Sequence, residues 1–427
     1  MKLLSKIWKN KIFVVLLLMV LIFTPSSIYQ QITNKIRAVV TTLGVDLTES
    51  GVGVTILHII PKSASNFNQN TEIAYAEGGN VAEAISRMSL NLGKHISLAH
   101  CNAVLLSKDL VEKGINEYLD YLIRRTNLTN SSMLAVCDNA KELMQTIKTS
   151  KILTSMSVRE LVEFNNRYLF SSDSSVESFE LNYYNGSKVS FMPLISLSGQ
   201  NFSSGESEQG SGGENEGQNQ QSSGGGSSNE SSANENSGSG SGSGGKDEEK
   251  DILNDGRSVV LSDGRLAFEL EQDIVELFNL LDLDIKRTIL TGESYIDTNG
   301  KEKSITCETY DKKIRKEYRF VNGRPVFHMD IRFILNINEV DTKNYDLEDV
   351  DNNRNVLSAP VKASLLKKIE KDFSKAVSKT KESGLDLFQV EDAFYTFKHK
   401  EWQEYTKDNP NVFEDMIFSY DIELIKK

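Results

Sequence analysis

"EGGNVAEAISRMSLNLGKHISLAHCNAVLLSKDLVEKGINEYLDYLIRR", residues 77–125, changes its hydrophobic period twice. Val81, Ala84, Ile85, Met88 and Leu92 recur at helical spacing, with Asn80 placed to cap the start and Gly93 the end. "HISLAHCNAVLLS", residues 95–107, then reads as one strand. "KDLVEKGINEYLDYLIRRT", residues 108–126, reads as a second helix with Leu110, Ile115, Leu119 and Leu122 facing inward. Helix, strand and helix in succession predict an α/β or α+β chain of mixed sheets flanked by helices.

Upstream, "RAVVTTLGVDL" (37–47) and "GVGVTILHII" (51–60) read as two strands joined by a tight turn, and "TEIAYAEGG" (71–79) as a third. Downstream, "SSMLAVCD" (131–138) is a strand, and residues 140–169 read as helical. "RSVVLSDGRLAFELEQDIVELFNLL" (257–281) predicts strand, Asp263-Gly264 turn, strand and helix. Alternating, charged strands follow from Thr288 to about Glu339. "APVKASLLKKIEKDFSKAVSKTKESG" (359–384) predicts a long amphipathic helix with Pro360 at its start and Gly384 at its end, and "MIFSYDIELIKK" (416–427) a closing strand. Lys367, Lys368, Lys371, Lys375 and Lys379 would form the wet face of the long helix.

Residues 198–250 are nearly all Ser, Gly, Asn, Gln and Glu, and hold 14 of the chain's 28 glycines. Such a segment buries too little apolar surface to offset its ordering entropy. As a free coil it would hold its ends on the order of 40 Å apart. The chain therefore divides into an N-terminal membrane segment (1–35), a first domain (36–197), a disordered linker (198–250) and a second domain (251–427).

Charge narrows the partners. Residues 1–200 carry 19 Lys/Arg against 16 Asp/Glu, residues 201–250 carry 2 against 9, and residues 251–427 carry 27 against 35. No basic face is evident, so no nucleic acid is expected as partner. The three cysteines, Cys101, Cys137 and Cys307, are too few and too odd for a disulfide framework, although one pair such as Cys101–Cys137 could close.

The start of the chain gives an address. Lys2, Lys6, Lys9 and Lys11 precede an apolar run of Ile12, Phe13, Val14, Val15, Leu16, Leu17, Leu18, Met19, Val20, Leu21, Ile22 and Phe23, and no charge appears through Asn34. That uncharged stretch reaches the ~20 residues that span a bilayer. Both an uncleaved anchor and a cleaved signal peptide leave the lysines in the cytoplasm and the rest outside. Thr24-Pro25-Ser26 is a poor exit for cleavage, which favours the anchor. The first cysteine is Cys101, so no lipid-accepting cysteine follows the apolar run.

His95, His100 and Cys101 are residue types that bind metals or act as nucleophiles. On one extended strand His95 and His100 face opposite ways, and His95 and Cys101 lie ~20 Å apart. Zinc needs its ligands at ~2.0–2.3 Å. A packed strand is therefore expected, with no catalytic residue, no metal site and no cofactor. No phosphate-binding loop, dinucleotide fingerprint, nucleophile elbow or metalloprotease motif is present. "GVGVTIL" (51–57) leads into a strand rather than a helix N-terminus, and "NYDLEDVDNN" (344–353) lacks the oxygen spacing of a calcium loop.

The order of these elements resembles the Ger(x)C family, the C subunits of nutrient germinant receptors in bacterial spores. Glu77-Gly78, Ala84, Leu92-Gly93-Lys94, His100, Gly114, Asp120 and Arg124 follow the family pattern, preceded by a Gly-x-Asp at Gly44 and Asp46. Asp386, Phe388 and Trp402 match its end. The missing lipid-accepting cysteine and the long Ser/Gly insert depart from it; since the family's two domains adjoin without such an insert, the resemblance implies that the halves dock and the insert loops out. The resemblance implies a non-enzymatic protein on the outer face of the spore inner membrane. It would work beside integral-membrane receptor subunits, in a complex that senses a small-molecule germinant. A membrane-anchored extracytoplasmic solute-binding protein is the alternative, and a cell-surface hydrolase lacks any signalled site.

If residues 12–23 anchor the chain, alkaline carbonate should leave the protein in the membrane pellet. Replacing Leu17 and Leu18 by Asp should block insertion, each central acid costing ~2.5–3.5 kcal/mol. A soluble species beginning near Ser27 would refute the anchor.

Overall fold

The computed structural model describes residues 37–60, 70–149, 174–184, 187–197, 252–253, 256–283, 287–296, 302–340 and 357–427, with a few single positions besides. Residues 12–18 and 20–23, residues 198–250 and the acidic stretch 344–353 lie outside the described residues. Among the described residues no helix is long and apolar enough to cross a membrane. The protein is a mixed α+β fold whose sheets are flanked by helices.

The first sheet has ten strands. Strands β1 (Arg37–Thr48), β2 (Gly51–Ile60) and β3 (Asn70–Gly78) form an antiparallel meander. Helix α1 (Val81–Leu92) follows, its N-terminus capped by Asn80 Oδ1, which accepts the Glu83 amide at 2.9 Å. Gly93 ends it in the left-handed region at φ 61°, as the sequence predicts.

The segment expected as one strand over 95–107 is two. β4 (His95–Ser97) and β5 (Ala103–Ser107) both pair in parallel with β1, but Leu98–Asn102 loops out between them. The loop makes its own bonds, from the Cys101 amide to the Leu98 carbonyl (2.9 Å) and from the Asn102 amide to the Thr41 carbonyl (2.8 Å). The helix expected over 108–126 is likewise two, α2 (Lys108–Lys113) and α3 (Asn116–Thr126). Gly114 breaks it at φ 114°, outside the helical region that its place in an apolar stripe had suggested. The inward set nonetheless holds, with Leu110, Ile115, Leu119 and Leu122 all buried.

β6 (Met133–Cys137), α4 (Ala140–Thr149), α5 (Val176–Tyr184) and β7 (Val189–Leu197) extend the sheet, with β5, β6 and β7 parallel. The helix read over 140–169 is seen as far as Thr149, and the remainder lies outside the described residues. Alternation in these strands separates two cores. Val104, Leu106, Leu134 and Val136 pack under α1, α2, α3 and α5, while Ala103, Leu105, Ala135 and Cys137 pack under α4.

The sheet does not stop at the Ser/Gly segment. β8 (Ile252–Leu253) pairs antiparallel with Ser196 and Leu197 of β7. β9 (Ser258–Ser262) pairs antiparallel with β7 from Val189 opposite Ser262 to Pro193 opposite Ser258, and β10 (Arg265–Leu270) adds the edge. The β9–β10 turn has Asp263 at φ 52° and Gly264 at φ 74°, two positive values in a row. That turn meets the first half: the Ile115 amide donates to the Gly264 carbonyl (2.9 Å) and Asn116 Nδ2 to the Asp263 carbonyl (3.0 Å). The flanks of residues 198–251 are therefore strand neighbours, not ends ~40 Å apart as a free coil predicts.

Helix α6 (Gln272–Leu281) leads into a four-stranded sheet of β11 (Ile289–Thr291), β14 (Ile305–Val321), β15 (Arg324–Val340) and β16 (Ile417–Lys426), beside a short ribbon of β12 (Tyr295–Ile296) and β13 (Glu302–Lys303). Helices α7 (Ala359–Ser383), α8 (Glu391–Phe397) and α9 (His399–Asp408) close the inner face. Phe327, Met329, Ile331, Phe333 and Leu335 of β15 point into this core, which also takes in Val189, Val260 and Leu270 from the first sheet. The opposite face of β15 and β16 is open and charged.

The long helix's lysine row is only partly wet: Lys367 and Lys371 are exposed as expected, while Lys368 and Lys375 are half-buried. Lys368 bonds Asp273 (2.9 Å) and Asp372 (3.0 Å), Lys375 bonds Asp273 (2.8 Å) and Glu271 (3.2 Å), and Lys371 bonds Glu293 (2.7 Å). Helical spacing marks a polar stripe but not what lies over it; here that is the N-terminus of α6.

Cleavage within residues 198–250 should leave two fragments that co-elute on gel filtration, because β9 and β10 remain paired to β7. Separate peaks would show that the strand pairing does not hold the halves together.

Candidate functional site

The two sheets enclose a cleft of about 390 Å³. One wall is α5 and β7, through Ser178, Asn182 and Phe191; the other is α6, β14 and the loop between α7 and α8, through Phe278, Lys316 and Phe388. Aromatic rings form its floor. Phe278 lies 5.8 Å from Phe191 and 5.3 Å from Phe388, and Phe388 lies 6.1 Å from Phe327, centroid to centroid. Offset or edge contacts of this kind are favourable beyond the area they bury.

Lys316 is the cation of the cleft. It lines the cleft, and the loss of water around the ammonium pushes its pKa below the ordinary lysine value against the opposing pull of Asp282 and Asp386. Lys312, four residues earlier on the same strand, donates to the Asn279 (3.0 Å) and Leu280 (3.2 Å) carbonyls and so closes the C-terminus of α6. Asp282 also lines the cleft, so the arrangement can hold a small, partly apolar molecule between one cation and one carboxylate.

The loop behind Lys316 is fixed by Asp386. This buried carboxylate accepts the Val390 (2.9 Å) and Glu391 (2.8 Å) amides and caps α8. Burial still wins over those bonds and pushes its pKa up to about 6. Burial, with Asp386 and Asp392 close by, pushes Glu391 to about 7. On α7, Asp372 rises to about 6 because it is buried, while Asp273, shared by Lys375 and Lys368 and better hydrated, falls to about 2.

The same device caps the first half. Asp46 accepts the Ala140 (2.6 Å) and Lys141 (3.0 Å) amides at the start of α4. Two residues before it, a Cβ on Gly44 would lie 2.8 Å from Met144 Sδ and 2.9 Å from Ala140 Cβ. The Gly-x-Asp spacing thus lets the helix approach and caps it.

The structure brings none of the sequence candidates together. His95 is exposed, with Nδ1 2.8 Å from the Ile96 carbonyl, and His100 is exposed in the Leu98–Asn102 loop. Cys101 is buried with Sγ 3.3 Å from the Ala103 carbonyl, and burial pushes its thiol up to about 12. Cys137 and Cys307 are also buried, and all three thiols are free. No histidine lines the cleft. Sequence reasoning named Phe388 only as part of the family pattern and missed Phe191, Phe278 and Lys316, because the four come from separate elements and share no local motif.

The raised acids make stability depend on pH. The folded protein holds the Asp386 proton more tightly than an unfolded chain, where the carboxyl titrates near its ordinary 3.8. The stability this contributes is complete below pH 4, is lost as pH rises through about 6, and amounts to at most about 3 kcal/mol. Asp386→Asn keeps a capping oxygen and should flatten unfolding stability between pH 4 and 6. An unchanged slope would assign the effect elsewhere.

Comparison with known families agrees with this architecture. The family described as spore germination protein N-terminal domain matches residues 33–197, and that described as spore germination B3/GerAC like, C-terminal, matches residues 256–425. No curated protein matches the chain. A solved structure described as the crystal structure of the GerBC protein is similar at 15% identity and a TM-score of 0.46, covering 90% of this chain and 96% of that one. With both of its domains matched in order, the chain belongs to the GerAC-like family of spore germination proteins, the germinant receptor family.

Proposed function

We propose that the protein is a non-catalytic, extracytoplasmic subunit of a spore germinant receptor, acting in nutrient-triggered germination. The ordered match of both family domains carries this reading. Residues 36–197 and 251–427 are its two units, joined by the β7–β9 pairing and interrupted by the 198–250 segment. The apolar run from Ile12 to Phe23 holds it to the spore inner membrane as a single pass. Its partners there are the integral-membrane receptor subunits.

The cleft supports a binding or coupling role, with aromatic rings set around Lys316 and Asp282. The cleft lies where the two units meet, so an occupant would touch both.

Spores lacking the protein should fail to germinate on the nutrient their receptor senses, yet respond normally to a trigger that bypasses receptors. Affinity purification from detergent-solubilised spore membranes should recover multi-spanning receptor subunits with it. Normal nutrient germination without the protein, or its recovery alone, would overturn the proposal.

A further inference from the structure

The open face of the four-stranded sheet carries a constellation unrelated to the cleft. β15 and β16 run in parallel, with His328 opposite Ser419 and Asp330 opposite Asp421. One ligand atom from each of His328, Asp330 and Asp421 lies within 4.8 Å of the others. His328 Nε2 is 3.3 Å from Asp330 Oδ1 and 3.8 Å from Asp421 Oδ2. We propose that these three side chains bind a divalent transition-metal ion of the zinc class.

Three physical points carry the assignment. Metal bonds of about 2.0–2.1 Å at tetrahedral angles hold ligand atoms about 3.3 Å apart, so little movement is needed to close the site. Ser419 Oγ lies 2.9 Å from His328 Nδ1, where it can accept that ring's N–H and leave the Nε2 lone pair facing the two carboxylates. Asp330 and Asp421 face each other across the parallel pair, with Arg315 opposite Asp330 on the other side, and a cation between the two carboxylates would relieve their like-charge repulsion.

The neighbours leave the carboxylates available. Arg315 and Glu317 on β14 pair with each other at 3.1 Å, and Arg332 pairs with Glu423 at 2.5 Å. Among the described residues, Asp330 and Asp421 have only His328 as an ion partner. His328 is mostly buried by its strand neighbours while Asp421 is 85% exposed, so the site opens outward and leaves a coordination position for water or a side chain of another subunit.

The test is calorimetric titration of the metal-stripped full-length protein with Zn²⁺ near neutral pH, with Ca²⁺ as comparator. About one equivalent of Zn²⁺ should bind, with affinity lowered at least about tenfold by His328→Ala and by Asp421→Asn, and lowered less by Ser419→Ala. Asp421 is exposed, and its neutral variant also removes a like-charge repulsion, so its unfolding midpoint in the absence of metal should be no lower than wild type, which separates ligand loss from misfolding. Absence of Zn²⁺ binding, or affinities in the His328→Ala and Asp421→Asn variants equal to wild type, would overturn the site. So would Ca²⁺ binding at the same stoichiometry and strength, which would mark an oxygen-only site without the imidazole.

Discussion

The antiparallel pairing of β9 with β7 is the interaction on which the rest of the structure depends. It puts residues 258–262, from beyond the Ser/Gly segment, beside the last parallel strand of the first half. Val260 then reaches one core and Val259 and Leu261 the other, so a single five-residue strand belongs to both. Everything after it inherits this placement. The β9–β10 turn docks on the α2–α3 junction, α6 starts at the end of β10, and α6 in turn receives the lysines of α7. Lys108 and Arg257 reinforce the seam by sharing Glu269, at 2.5 and 3.4 Å.

Two aspartates set the helices that flank this seam. Asp46 and Asp386 each give both carboxylate oxygens to two successive amides at a helix start, yet both are pushed upward in pKa because burial outweighs those bonds. Protein of this kind is strongest when the acids are protonated or their amides firmly held. The ionic cluster around Lys368 works in the opposite direction. Asp273 contributes stability that is present above its ordinary titration range and lost only as pH falls toward 2. The two effects have opposite sign and adjoining windows, Asp386 from about pH 4 to 6 and Asp273 from about pH 4 down to 2.

Much of the fold was legible because local chemistry specifies it. Asn80 and Gly93 mark both ends of α1, Asp263-Gly264 marks the hairpin, and Pro360 and Gly384 mark the long helix. Two breaks escaped. Apolar residues run from Ile96 to Leu106 without a turn signal, but the buried set changes parity between Leu98 and Cys101, a slip the single-strand reading passed over. Gly114 interrupts helical spacing without disturbing the inward stripe of Leu110, Ile115 and Leu119. The cleft and the His328 cluster were not legible for a different reason. Alternation put His328 and Asp330 on one face of a strand, but only the parallel register with β16 brings Asp421 to them. Similarly, nothing near Lys316 announces Phe191 or Phe388.

The closing of β8 on β7 changes what the Ser/Gly-rich segment is. Leu197 and Ile252 are cross-strand partners, so the chain leaves the body of the protein and re-enters it at one point. A tether between domains sets their separation by its length; an excursion from a hairpin sets nothing, and its length is free to drift. Each doubling alters the closure entropy by only ~0.6 kcal/mol. Residues 201–250, with 9 carboxylates against 2 lysines, are thus spliced into the chain at one address, the β7–β8 pair. The same address is a permissive splice site: a folded tag inserted there would ride outside the sheet while β7 and β9 stay zipped beneath it.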